Sequence, residues 1–185
     1  GIGHPFPRAL RAGDQIAVAG AGAWPVERSI APPARQEGPL RVVPGPQDDY
    51  FPAETMALFL GESWVISATS DRMGYRLEGP VLGHSKGHNI LSDGIAFGAI
   101  QVPGSGQPLV LLADRGTTGG YPKIATIASV DLGRLAQTAV GSRIRFEAIS
   151  VEQAQRLARQ RHTEIGALAG QVRDVGGGAL SSAFL

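Results

Sequence analysis

Between Asp114 and Lys123 the chain places a carboxylate, a guanidinium, two hydroxyls, a phenol and an ammonium within ten positions, around Gly116, Gly119 and Gly120. A loop needs turn residues, but it does not need Asp114, Arg115, Thr117, Thr118, Tyr121 and Lys123 together. Glycine lets backbone approach a ligand closely or turn with positive φ. A second acid–base pair, Asp71-Arg72, also precedes a glycine, Gly74. In each pair the carboxylate could accept a proton or orient an N–H. The cation could stabilise negative charge growing on a carbonyl oxygen. A local salt bridge or a turn-forming aspartate would equally account for either pair. The amides of Gly119 and Gly120 could add oxyanion donors. Gln101 and Gln107 could recognise an amide edge, since each offers both a donor and an acceptor. The expected site is therefore Asp71, Arg72, Asp114 and Arg115 as catalytic groups. Gln101, Gln107, Thr117, Thr118, Gly119, Gly120, Tyr121 and Lys123 would hold the substrate.

Other chemistries fit the residues less well. His84 and His88 are four apart, but Ser85-Lys86-Gly87 between them is not helical, so two loop histidines are expected rather than a metal site. Gly104-Ser105-Gly106 lacks the leading glycine spacing of a nucleophile elbow. Gly116 to Lys123 is not a phosphate-binding P-loop, because Tyr121-Pro122 precedes the lysine and a strand follows it. Gly20-Ala-Gly-Ala-Trp24 has two glycines of a dinucleotide fingerprint, and Pro25 stands where the third should be.

The elements that must carry these groups are short. Leu109–Ala113 and Ile124–Ile127 are apolar runs bounded by Gly and Pro and read as buried strands. Leu40–Val43 and Trp64–Ala68 read likewise, and Tyr75–Glu78, after a turn at Ser70–Gly74, forms with the latter a hairpin or two strands at a corner. Glu54–Leu60 fits a short helix closed by Gly61, with Met56, Phe59 and Leu60 facing inward. Asp131 is placed to cap a helix over Leu132–Gln137. Arg143–Ile149 alternates strictly, with Ile144, Phe146 and Ala148 on one side, and predicts a half-buried antiparallel strand. Ser150-Val-Glu-Gln153 is a capping box. The helix it opens should reach about Gln171, with Ala154, Ala158, Ile165, Leu168 and Val172 on one stripe. A turn is expected at Gly13-Asp14 and a flexible tail from Val175. About eight strands without a βαβ rhythm predict a mostly antiparallel barrel or sandwich with peripheral helices.

Composition sets the outer limits. The 185 residues suit one domain, or one with a small lobe, and 43% hydrophobic content with only 6% aromatics puts the core on Val, Ile, Leu and Ala. Seventeen Lys and Arg against sixteen Asp and Glu give no basis for a nucleic-acid or membrane partner. Cysteine is absent, which removes disulfides, thiolate metal sites and a cysteine nucleophile, and is compatible with a reducing cytoplasm. No apolar run approaches the ~18 residues that span a bilayer. The chain opens on Gly1 rather than Met, so the expectation is a piece of a longer protein or a lost start.

Four strings carry a resemblance: Ser70-Asp-Arg-Met-Gly-Tyr-Arg-Leu-Glu-Gly-Pro80, Asn89-Ile-Leu-Ser-Asp-Gly94, Gly98-Ala-Ile-Gln-Val-Pro-Gly-Ser-Gly-Gln-Pro108 and Leu112-Ala-Asp-Arg-Gly-Thr-Thr-Gly-Gly-Tyr-Pro-Lys-Ile-Ala125. They resemble the biotin-dependent carboxyltransferase / allophanate hydrolase subunit 2 family, which includes KipA and the C-subunit of the ATP-dependent 5-oxoprolinase. The resemblance runs from about Leu40 to Glu152. It implies a mostly β fold: a cyclophilin-like antiparallel β-barrel with short peripheral helices and a C-terminal helix. It divides the chain into a connection from a missing N-terminal lobe (1–39), the barrel (40–150) and a terminal helix with its tail (151–185).

It also implies a cytoplasmic enzyme subunit that works with a KipI-like (allophanate hydrolase subunit 1) protein and a LamB/YcsF-type subunit. Together they would open 5-oxoproline to glutamate, with ATP bound by the complex. One alternative is half of a urea or amide carboxyltransferase, with biotin supplied in trans because no attachment Met-Lys is present. Another is a KipA-like regulatory protein that binds a kinase-inhibitor partner and turns over nothing. All three readings share a flat amide, lactam or ureido ligand or a protein partner.

Overall fold

Short apolar runs separated by Gly and Pro become strands too brief to stand alone, so their edges must be paired around a common interior. The structure, a computed structural model, describes residues 11–15, 27–31 and 36–175. It divides into two units, Pro32–Ala169 and the pair Gly1–Ala31 with Gly170–Leu185. In the second of these, β1 (Glu27–Ser29) pairs antiparallel with β12 (Arg173–Val175). Val175 thus ends a strand, where a tail was expected to begin. The turn expected at Gly13-Asp14 is present, with Arg11 N donating to Asp14 Oδ2 at 2.8 Å. Gly20–Trp24 and the tail beyond Val175 lie outside the described residues.

The Pro32–Ala169 unit contains, in order, β2 (Leu40–Pro44), α1 (Ala53–Gly61), β3 (Trp64–Ile66), β4 (Gly74–Glu78), β5 (Asp93–Gly94), β6 (Ala99–Gln101), β7 (Leu109–Leu111), β8 (Thr118–Gly119), β9 (Lys123–Ile127), α2 (Leu132–Ala136), β10 (Arg143–Ile144), β11 (Phe146–Ala148) and α3 (Val151–Leu168). Eight strands form one sheet in the order β10-β3-β4-β7-β6-β9-β2-β11. Its two edge strands, β10 and β11, are parted in the chain by Arg145 alone. One stretch of backbone therefore bonds both edges and draws the sheet into a barrel, which removes exposed edges. This corrects the expectation for Arg143–Ile149. The run is split in two, β10 lies antiparallel to β3, and β11 lies parallel to β2. Ile144 and Phe146 are buried as alternation requires, whereas Ala148 is exposed beyond the end of the core.

Helix α1 closes the interior. Phe59 is fully buried, stacks on Phe146 at 4.7 Å between ring centroids, and its carbonyl accepts from Trp64 Nε1 at 3.1 Å. Each such ring removes about 150–250 Å² from water, roughly 4–6 kcal/mol of transfer free energy. The capping box of α3 forms as expected, with Gln153 N donating to Ser150 Oγ at 3.2 Å and Ser150 N to Gln153 Oε1 at 2.7 Å. The stripe on α3 differs from expectation: the helix buries no residue, and Ile165 and Val172 are 52% and 42% exposed. The helix runs beside an open cleft, so its apolar side chains have little to pack against within the unit.

A second, thinner layer covers part of the sheet. β7 and β9 both flank β6 antiparallel, so they run the same way, and the chain from Leu112 to Pro122 must return along the barrel wall. On the way it forms β8, which pairs with β5. Ile95, Ala99 and Leu111 make the small apolar cluster between this ribbon and the sheet.

Candidate functional site

Regular alternation would set Ile124 opposite Gln101. Instead Ile100 pairs with Ala125 and Gln101 with Lys123, and Ile124 is the extra residue of a bulge. A bulge re-aims the side chain beside it. Here it brings Lys123 onto the same face as Gln101, under the β5–β8 ribbon. The Lys123 ammonium, whose side chain is 3% exposed, donates to Asp93 Oδ2 at 2.8 Å and to the Gly94 carbonyl at 3.3 Å. Asp93 is the half-exposed partner, at 53%. Lys123 chiefly, and the Gly94 amide next, hold its carboxyl below the ordinary carboxylate range. Gln47 braces the pair: its Oε1 accepts from Lys123 N at 3.1 Å and its Nε2 donates to Asp93 at 3.5 Å.

Gln101 is 4% exposed and donates from Nε2 to the Tyr121 carbonyl at 3.4 Å. Among the described residues its Oε1 has no partner, and neither has the third N–H of Lys123. Gly119 lies directly over the Gln101 amide. A Cβ there would come within 2.8 Å of Gln101 Nε2 and 2.7 Å of Ile95 Cδ1, so only glycine allows the ribbon this close. Thr117 gives its carbonyl to Ile95 N, Gly120 gives its own to Ile90 N, and Thr117, Thr118 and Tyr121 present exposed side chains. The ribbon thus gathers Gln101, Thr117, Thr118, Gly119, Gly120, Tyr121 and Lys123 along one edge.

The expected acid–base pairs are arranged differently. Arg72 and Asp114 bond each other, Nε to Oδ2 at 2.8 Å and Nη2 to Oδ1 at 3.0 Å, across two loops and in solvent. Each holds the other charged, lowering the Asp114 carboxyl and raising the Arg72 guanidinium. Asp71 accepts from the amides of Met73 and Gly74 at 2.8 and 3.2 Å and so shapes its own turn. These three lie past the Gly74–Leu111 pairing, at the end of β7 away from Leu109, the residue that faces Gln101. Arg115 donates from Nε to the Ile95 carbonyl at 3.1 Å and from Nη1 to the Leu112 carbonyl at 3.2 Å, with Phe97 beneath its guanidinium. Gln107 is elsewhere, with both ends of its amide on the Gly79 backbone at 3.0 Å. His84 donates from Nε2 to the Val102 carbonyl at 3.0 Å and packs on Phe51.

The family described as carboxyltransferase domain, subdomain A and B, matches residues 1–148. The chain belongs to this carboxyltransferase-domain family. It is 43% identical over 160 residues to the 5-oxoprolinase C-subunit of Haemophilus influenzae, covering 86% of this chain and 51% of that protein. It is 37% identical over 154 residues to the 5-oxoprolinase C-subunit of Escherichia coli, covering 83% and 50%. The chain therefore spans about half the length of these curated relatives. Among solved structures, the urea amidolyase of K. lactis superposes with a TM-score of 0.66 at 25% identity, over 70% of this chain and 8% of that one. The mostly β, barrel-like architecture expected from sequence is the architecture found.

The carboxyltransferase-family chain also holds polar groups that sequence reading passed over. Asp93 and Gln47 complete the Lys123 edge, and their only signal was a Ser-Asp-Gly turn and a glutamine after Gly-Pro. Asp131 was expected to cap α2, yet its side chain makes no cap bond. It is fully buried and accepts from Arg41 N, Nε and Nη2 at 2.8, 2.8 and 2.6 Å, and from Arg134 Nη1 at 3.3 Å. Burial pushes its carboxyl up, but the bonds from Arg41 and the charge of Arg134 together hold it below the ordinary range. No helix of the described residues is long and apolar enough to cross a membrane.

Proposed function

We propose that this chain serves in a protein like the 5-oxoprolinase C-subunit and that its Lys123–Gln101 edge binds the amide of a lactam. One observation carries the reading: a buried ammonium with a spare N–H stands beside a buried amide with a spare acceptor. A lactam presents the complementary pair, a carbonyl that accepts and an N–H that donates. When the ring C–N bond is attacked, charge grows on the carbonyl oxygen. An ammonium already held in a site shielded from water stabilises that charge without reorganising. Asp93 orients Lys123, while the Tyr121, Thr117 and Thr118 side chains border the ligand. Arg115 acts through the backbone it ties down, and Asp71, Arg72 and Asp114 serve the architecture of their loops. The kinship with the 5-oxoprolinase C-subunit supports 5-oxoproline as the substrate, a KipI-like and a LamB/YcsF-type subunit as partners, and ATP bound by the assembled complex.

The likeness to urea amidolyase favours a second reading, transfer of a carboxyl group to a ureido nitrogen, with biotin brought by another chain. The same edge fits urea. The test is Lys123→Met in the complete protein assembled with its partner subunits. ATP-coupled 5-oxoproline hydrolysis should fall by a factor of about 100, the scale of losing one charge-stabilising donor. Unchanged turnover in an intact complex removes Lys123 from the site. Turnover that requires urea and a biotinyl donor, and not 5-oxoproline, selects the second reading.

A further inference from the structure

A hollow in the barrel unit lies away from the Lys123 edge. It is an open cleft of about 1220 Å³ between α3, α2, the 36–41 segment and the β10–β11 seam. Five arginines line it, Arg41, Arg134, Arg143, Arg145 and Arg161, against Glu37 and Glu164. The whole chain carries a formal net charge of only +1, so positive charge is concentrated here. A concave wall with an excess of one sign raises the local concentration of the opposite ion.

The floor of the cleft is built, not merely charged. Fully buried Asp131 holds two guanidiniums at once, Arg41 by both carboxylate oxygens and Arg134 by one, and these arginines remain 19% and 21% exposed. Arg134 is further fixed by the Gly38 and Pro39 carbonyls, and Arg41 by Gln36 Oε1 at 3.1 Å. Glu147, opposite Arg41 on β11, adds a second carboxylate near these two guanidiniums, so the excess of positive charge in the cleft comes from Arg143, Arg145 and Arg161 against Glu37 and Glu164. Donors also remain. Among the described residues Arg41 Nη1, Arg134 Nε and the whole guanidinium of Arg145 have no partner, whereas Arg143 is bonded to Ser63 and Arg161 to Glu164. Guanidinium donors match phosphate and carboxylate in geometry, and a guanidinium already oriented loses little freedom on binding.

We propose that this cleft binds a ligand carrying a phosphate or carboxylate group, held by Arg41 and Arg134 on the floor and by Arg145 at the exposed side. The size of the cleft exceeds that of the anion alone, so the ligand bears further polar structure. An acidic segment of a partner protein is less well matched, because the fixed donors lie on the floor and are reached by an inserted group.

Nuclear magnetic resonance of the arginine Nε–Hε groups tests this. The chain is titrated with sodium phosphate and, separately, with sodium succinate, at constant ionic strength set by chloride. One of the two should shift Arg134 Nε saturably, and the one that saturates at lower concentration identifies the anion class. Arg145→Glu should weaken binding about tenfold or more, and Arg134→Lys, which keeps the charge but loses the planar donor pair, should weaken it about tenfold. A well-dispersed spectrum confirms that each variant is folded. The proposal is overturned if neither anion saturates at tens of millimolar, or if Arg134→Lys binds as tightly as the unsubstituted chain. A poly-glutamate peptide that binds far more tightly than both anions also overturns it, and makes the cleft a protein-docking surface.

Discussion

Replacing Asp131 by Asn keeps the shape of the side chain and removes only its charge and one acceptor. Both Arg41 N and Arg41 Nε donate to Oδ2, while Arg41 Nη2 and Arg134 Nη1 donate to Oδ1. An Asn must turn its NH2 toward one of these pairs, and flipping the amide only exchanges which pair is opposed. Two donors therefore lose an acceptor and meet another donor. Each lost buried bond costs about 1–3 kcal/mol. The guanidiniums are about one-fifth exposed and recover part of this from water. We expect a loss of about 3 kcal/mol at neutral pH, the low end for breaking a buried pair.

The pH dependence has a definite sign. The Asp131 carboxyl is lowered in the folded chain, despite burial, by Arg41 and Arg134. Its contribution is whole above the unfolded value of about 3.9 and is lost as pH falls through the folded value beneath it. Urea unfolding followed by tryptophan fluorescence should show the gap between the two proteins at neutral pH, closing progressively below about pH 4. A gap under about 1 kcal/mol at neutral pH, or one that is undiminished in acid, would refute the assignment of Asp131 as the ionised centre of the network.

Three further substitutions test the parts that position the sites. Gly119→Ala would drive a methyl to within 2.7 Å of Ile95 Cδ1 and 2.8 Å of Gln101 Nε2, so thermal unfolding should show a loss of about 1–3 kcal/mol and activity of the assembled complex should fall with it. Gly120→Ala, whose methyl would meet only the Ile90 carbonyl at 3.3 Å, should do less to both. Ser150→Ala removes the acceptor for Gln153 N and should cost about 1 kcal/mol, seen as faster hydrogen exchange in the first turn of α3.

Local signals were readable because local chemistry sets them. The apolar runs at Leu40, Trp64, Leu109 and Ile124 became β2, β3, β7 and β9. The capping box at Ser150 placed the start of α3 to the residue. What alternation cannot give is a neighbour. The Arg143–Ala148 run shows which side chains face inward, but nothing in it says that its halves serve opposite edges of one sheet, one of them in parallel. The same limit governed the acid–base pairs. Asp71-Arg72 and Asp114-Arg115 are adjacent in sequence, yet neighbours along an extended chain point to opposite sides. Arg72 found Asp114 across the loops, and Arg115 turned inward to two carbonyls. Asp131 carries the signature of a cap, and only the approach of β2 shows that it is an internal counter-ion.

Strand β9 explains why the polar chemistry of this barrel sits at its two ends. Its middle is committed to the interior: Ile124, Ala125 and Ile127 are buried among the strands on either side. A charged residue on such a strand is tolerable only where it can leave the interior. The bulge at Ile124 does this at the entrance, shifting Lys123 out of the alternation that would have aimed it at the core and setting it beside Gln101 and under Asp93. At the exit no bulge is needed, because the chain turns directly into the α2 region and Asp131 meets Arg41 on the adjoining β2. The seam between β10 and β11 then adds Arg145, whose carbonyl accepts from Leu40 N while its side chain lines the cleft. Barrel closure and the arginine cleft are thus one structural event. The residue that cannot belong to either edge strand supplies the free guanidinium beside the two that Asp131 holds.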